Sequence, residues 1–154
     1  MIMSPKLAQS GRVARRSHLV QDATMKLLRD VSVRHLLTVD PGATLRRAAK
    51  VMTERGVGCA VVIENEKVAG IITERDILRA IAADQVMDET KVHEVMTRDV
   101  VSGAPGWDIL RAANAMTEGG FRHLLVMEMD DPVGIVSLRD LLDSMSEAVQ
   151  ADSA

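Results

Sequence analysis

Apolar and polar positions along this chain follow one pattern, and they follow it twice. Leu45, Ala48, Ala49 and Met52 recur at the spacing of one helical face, with Thr44 placed to cap the helix and Gly56 to end it after about Arg55. Cys59 to Ile63 is then a continuous apolar run, Glu64 to Lys67 a polar turn, and Val68 to Ile72 a second apolar run. Such a sequence predicts a hairpin of buried strands. A helix-forming run from Glu74 to about Ala83 closes the set, and a short extended segment at Thr38 to Asp40, followed by a Pro41-Gly42 turn, opens it. The second half predicts a helix over Trp107 to Glu118, strands at His123 to Glu128 and Val133 to Val136, and a helix from Leu138 to about Val149. The order is strand, helix, strand, strand, helix, twice.

The copies are in register. Gly70-Ile71-Ile72-Thr73-Glu74-Arg75-Asp76 returns as Gly134-Ile135-Val136-Ser137-Leu138-Arg139-Asp140, and 139 minus 75 gives the same offset, 64, as 116 minus 52 for Met52-Thr53-Glu54 and Met116-Thr117-Glu118. Pro41-Gly42 answers to Pro105-Gly106 and Gly56 to Gly120. A repeated supersecondary unit sets the architecture: one such unit cannot bury both faces of its sheet, whereas two packed sheet against sheet about a pseudo-twofold axis can. The expected fold is therefore α/β, built from two β-α-β-β-α units. Between the copies a short helix is expected around Thr90 to Val95. Val33 to Leu37 resembles Val92 to Met96 at an offset of 59, which predicts a five-residue insertion in the second copy around Arg98 to Ser102. The units are accordingly placed at 31–84 and 98–149, with a linker over 85–97, a basic arm over 1–30 and a tail over 150–154.

Composition narrows the function. One Phe, one Trp and no Tyr leave no aromatic platform for single-stranded nucleic acid, and a net charge of -3 argues against a polyanion binder. The single Cys59 excludes an internal disulfide and fits a reducing compartment, here the cytoplasm. No apolar run reaches the roughly 18 residues of a membrane span. The arm differs from the rest: Lys6, Arg12, Arg15, Arg16, Lys26 and Arg29 face only Asp22 and Asp30. It reads as a solvated arm with a helix from about His18 to Arg29, with a mitochondrial transit peptide or a contact to a partner or nucleic acid as alternatives.

The repeated phrase has two readings. Thr or Ser followed three residues later by an acid approximates a capping box, which would explain both copies without any ligand. Yet a carboxylate at a helix entrance can also accept both hydroxyls of a ribose, a hydroxyl and free amides suit a phosphate or sugar oxygen, and the neighbouring Arg offers a planar fork for phosphate. No nucleophile paired with a base is evident, and His35, His93, His123 and Cys59 lack metal-ligand spacing, so neither catalysis nor a metal is expected.

With the twofold repetition and the phrase Gly, apolar, any, Thr or Ser, any, any, Asp in place, the chain resembles the cystathionine-β-synthase (CBS) domain pair, or Bateman module, from Val31 to about Met145. The resemblance implies two inter-repeat clefts that bind adenosine-containing ligands: an adenine nucleotide such as AMP, ADP or ATP, or else NADH or S-adenosylmethionine. By position, the first cleft would use Thr38, Cys59, Ala60, Thr73, Arg75 and Asp76, and the second Ser102, Arg122, His123, Leu124, Ser137, Arg139 and Asp140. The face carrying Arg122 and His123 is expected to dominate phosphate recognition, and the first cleft to be shortened. The resemblance further implies a non-enzymatic regulator of a protein partner, acting as a homodimer through the small faces Ala48-Ala49-Met52 and Ala112-Ala113-Met116. A ligand-free structural module with a recruiting arm is the alternative.

Overall fold

The computed structural model of the chain describes residues 26–151. Its elements run α1 (Leu28–Val31), β1 (Thr38–Val39), α2 (Leu45–Arg55), β2 (Cys59–Glu64), β3 (Lys67–Thr73), α3 (Glu74–Ala82), α4 (Val92–Val95), β4 (Ser102–Gly103), α5 (Ile109–Gly119), β5 (His123–Glu128), β6 (Asp131–Ser137) and α6 (Leu138–Ala151). The strands form two three-stranded sheets, β1-β2-β3 and β4-β5-β6. In each, the short first strand pairs parallel with the second, which forms an antiparallel hairpin with the third. The expected α/β pair of β-α-β-β-α units is thus present.

Local chemistry explains the boundaries. Thr44 and Asp108 cap α2 and α5 by accepting from the amides of Arg47 and Arg111. The second helix therefore starts at Ile109, because Asp108 takes the cap position. Gly56 and Gly120 end the same helices in the left-handed region, at φ 63° and 69°, where a side chain is strained.

Each repeat has its own core. Leu45, Ala48, Met52, Ala60, Val62 and Ile72 are buried together in the first, and Ile109, Ala112, Met116, Leu124, Val126 and Leu141 in the second. Cys59, Val61, Ile71 and Leu125 are also buried but belong to neither cluster. Cys59, Val61 and Leu125 alternate with core residues in β2 and β5, and Ile71 precedes the core residue Ile72 in β3, so they occupy the opposite sheet face, turned toward the other repeat. Of the helix faces expected to mediate dimer contacts, Ala49 and Ala113 are only partly buried. Ala48, Met52, Ala112 and Met116 are spent on their own repeat's core.

The lead-in segments depart most from expectation. Lys26 and Leu27 are not helical; Leu27 forms an antiparallel bridge with Asp108, and helix begins only at Leu28. Residues 18–25 of the expected arm helix lie outside the described residues. The segment before the first repeat completes the second. Leu28 is fully buried in the second core, its amide donates to the Trp107 carbonyl at 2.8 Å, and Val33 bridges Ile135. Reciprocally, the segment between the repeats completes the first: Val92 is fully buried in the first core, its amide donates to the Ala43 carbonyl at 2.9 Å, and Thr97 bridges Ile71. Leu28 and Val92, Trp107 and Ala43, Val33 and Thr97 are each 64 apart, as are β1 and β4. The predicted five-residue insertion is therefore absent, and the first cleft has not lost a covering segment.

This exchange also accounts for the glycine that opens each phrase. A Cβ on Gly70 would lie 2.6 Å from the Thr97 carbonyl oxygen, and one on Gly134 would lie 2.7 Å from Ser32 Oγ. The crossing segment leaves no room for a side chain.

Candidate functional site

Two clefts lie between the repeats. The larger, about 1170 Å3, combines the second phrase, Ser137, Arg139 and Asp140, with Val57, Gly58 and Cys59 of the first repeat and the lead-in at Leu36 and Leu37. The smaller, about 320 Å3, combines the first phrase, Thr73, Arg75 and Asp76, with Phe121, Arg122 and His123 of the second repeat and the segment around Asp99 to Val101. The grouping of site residues by copy does not hold. Each phrase faces the strand start of the other repeat, so Cys59 joins Ser137, Arg139 and Asp140, while Thr73, Arg75 and Asp76 join Arg122 and His123. The last two also line the large cleft.

Four expected site residues line neither cleft. Ala60 and Leu124 are buried in the two cores, on the inner face of their strands. Thr38 and Ser102 are exposed on the short first strands. Conversely, Leu36, Leu37, Glu74 and Arg79 line clefts without having been expected there. The matching patterns Leu28-Arg29-Asp30-Val31 and Val92-His93-Glu94-Val95, 64 apart, were the signal that would have placed the lead-in.

Both phrases form complete capping boxes. Asp76 Oδ2 accepts from the Thr73 amide at 2.8 Å and from Thr73 Oγ1 at 3.0 Å, while the Asp76 amide donates back to Oγ1 at 3.3 Å. Ser137 and Asp140 repeat this at 2.7, 2.6 and 3.2 Å. Every one of these carboxylate contacts falls on Oδ2. Among the described residues Oδ1 of each Asp has no hydrogen-bond partner, so the cap and a bound hydroxyl can coexist on one carboxylate. The two readings of the phrase are compatible.

The charged groups are arranged less symmetrically. Arg75 donates to the Gly120 carbonyl at 3.2 Å, tying the first phrase to the end of α5. Arg139 lies 3.8 Å from Asp143 on its own helix and is largely exposed. Arg122 reaches Glu74 across the repeat boundary at 3.5 Å. Burial, reinforced by Arg122 and opposed by Glu74 and Asp140, lowers the pKa of His123, so its ring is neutral at pH 7. Burial also pushes the Cys59 thiol up to about 12, with Glu74 and Asp140 adding to the effect. Cys59 is a small apolar wall of the cleft and not a nucleophile.

Two three-stranded α/β units with crossed phrases define a tandem-repeat architecture with paired clefts, and comparison with known proteins gives it a family. The CBS domain model matches residues 28–83 and 92–147, and the chain belongs to the CBS domain family. Both matches are separated by the same 64 residues and include the lead-in segments. The chain is 32% identical over 130 residues to the CBS domain-containing protein YhcV of Bacillus subtilis, covering 84% of this chain and 93% of that protein. It shares its fold with the CBS domain protein PAE2072 of Pyrobaculum aerophilum, solved in complex with AMP (TM-score 0.73, 23% identity, 84% and 100% of the two chains). It is also similar in fold to the CBS domain pair of protein MJ0100, solved with 5'-methylthioadenosine and S-adenosyl-L-methionine (TM-score 0.74, 22% identity, 79% and 97% of the two chains). No helix among the described residues is long and apolar enough to cross a membrane.

Proposed function

We propose that this chain is a non-catalytic regulatory module that binds an adenine nucleotide of the AMP, ADP and ATP class between its repeats and thereby changes its affinity for a protein partner. The observation that carries the reading is that, among the described residues, Oδ1 of Asp76 and of Asp140 has no protein partner and is open to a ligand, each at a helix entrance and each in a cleft walled by the other repeat. A ribose diol fits such an oxygen. Phosphate has its best partners in the small cleft, which Arg75, Arg79 and Arg122 line.

A ligand held by both repeats prefers one arrangement of them, and that preference is the means of regulation. The surface it would bias includes Leu78, Ile81 and Leu142, apolar side chains exposed on α3 and α6 that offer a homodimer contact. Titration calorimetry with AMP, ATP, NADH and S-adenosylmethionine tests the reading. Binding of at least one is expected, with Asp76→Ala and Asp140→Ala each removing the heat from one cleft. A chain that binds none of them is not a nucleotide sensor.

A further inference from the structure

The two clefts differ in the sign of the charge they present. Where the repeats meet, Gly58, Cys59 and Glu74 of the first hold the places that Arg122, His123 and Leu138 hold in the second, each pair 64 apart. The glutamate of one repeat and the arginine of the other therefore meet with no second pair to mirror them: Arg122 Nη2 lies 3.5 Å from Glu74 Oε1. Gly58 makes the room, since a Cβ there would sit 3.4 Å from the Glu74 carboxylate and 3.3 Å from His123 Nε2.

The large cleft is lined by the carboxylates of Glu74, Asp140 and Asp143, against the guanidinium groups of Arg122 and Arg139. Both arginines are engaged, Arg122 with Glu74 and Arg139 with Asp143. His123 is a neutral wall and His35 stands at the exposed rim. In the small cleft Arg75, Arg79 and Arg122 outnumber Asp76 and Asp99, and Glu74 is not among the lining residues; Arg122 is shared with the large cleft, and Arg75 donates to the Gly120 carbonyl. A phosphate entering the large cleft would have to displace Glu74 from Arg122 while lying beside Asp140. Like charges brought together in a partly enclosed site oppose binding.

We infer that Glu74 is a specificity determinant of the large cleft: it turns away 5'-phosphates, so this cleft takes an adenosine whose 5' substituent carries no net negative charge, and phosphate-bearing nucleotides are left to the small cleft. The inference rests on the reading of both clefts as adenosine sites. It assigns each a different ligand class.

The test uses the full chain carrying Asp76→Asn, which keeps an amide oxygen for the cap but weakens the small cleft. Calorimetry with adenosine, S-adenosylmethionine and AMP should give AMP the weakest binding, by about tenfold for a half-exposed like charge. Adding Glu74→Gln, or Glu74→Leu to copy position 138, should bring AMP level with or ahead of adenosine. The ratio of two ligands on one protein is insensitive to a general loss of stability. AMP-to-adenosine ratios that are the same with and without Glu74, or AMP binding best to the Asp76→Asn parent, would overturn the assignment. Failure of all three ligands and of ATP to bind the unmodified chain would instead remove the nucleotide reading and the inference with it.

Discussion

The first and second repeats are matched in backbone and mismatched in chemistry. Both use a Thr or Ser cap closed by an Asp, both end their first helix on a left-handed glycine, and both pass a borrowed segment over the glycine of the phrase. At the seam between them the pairs are Gly58 with Arg122, Cys59 with His123, and Glu74 with Leu138. The difference teaches that duplication fixes the scaffold wherever packing is demanding. Divergence collects where side chains face a cleft and packing is forgiving.

The likeness of the two repeats should break most severely when a borrowed anchor is removed. Leu28→Ala should destabilise the second repeat by about 3 kcal/mol, and hydrogen exchange should then open α5 before α2. Val92→Ala, which removes a smaller side chain from the first core, should reverse the order with a smaller loss. Opening of the first repeat in the Leu28 variant would contradict the exchange of segments.

Next in size are the glycines. Gly70→Ala meets a backbone carbonyl and should lower stability by roughly 2 kcal/mol, whereas Gly134→Ala meets the movable side chain of Ser32 and should lose less. Thermal unfolding of the two variants side by side reads the difference. The caps come third. Thr73→Ala and Ser137→Ala should each cost about 1 kcal/mol by denaturant titration, and unequal losses would show that the two phrases are not equivalent supports.

The smallest effect is a pH dependence seated at His123 of the second repeat. His123 is held below its ordinary value of 6.5 in the folded chain, so as pH falls through 6.5 the unfolded chain takes up a proton that the folded chain refuses. The stability associated with the neutral ring is present above that pH and is lost below it. His123→Gln should flatten this part of the stability profile, and Cys59, its counterpart, has no titration to contribute near neutrality.

Much of this was legible in the residues. The hairpins, the cap at Thr44, the glycine stops and the order of elements follow from local rules, and Cys59–Glu64 and His123–Glu128 appear within a residue of the apolar runs that predicted them. The pairing of each phrase with the other repeat was not legible, because it depends on how two units turn about an axis and leaves no trace in spacing. The lead-in was legible but misaligned. Val33 to Leu37 matches Val92 to Met96 in composition, whereas the correct partner, Leu28 to Val31, matches in the sequence of apolar, polar, acid, apolar and carries its meaning through one buried Leu. Ala60 and Leu124 were placed in the clefts by motif position, and strand alternation turns them into the cores instead.

The reciprocal loan of lead-in segments also orders events at the ribosome. Residues 92 to 97 must emerge before the first repeat can close its core, so that repeat completes only when the chain is well past its own last helix. Leu28 and Val33, made early, wait for Trp107 and Ile135, contacts 79 and 102 residues away in sequence and therefore slow to find by chance. The first repeat and its completing segment form one continuous stretch, 38 to 97, whereas the second cannot be cut out that way, and a nascent chain halted between the two would display an unclaimed Leu28 to whatever binds exposed apolar segments.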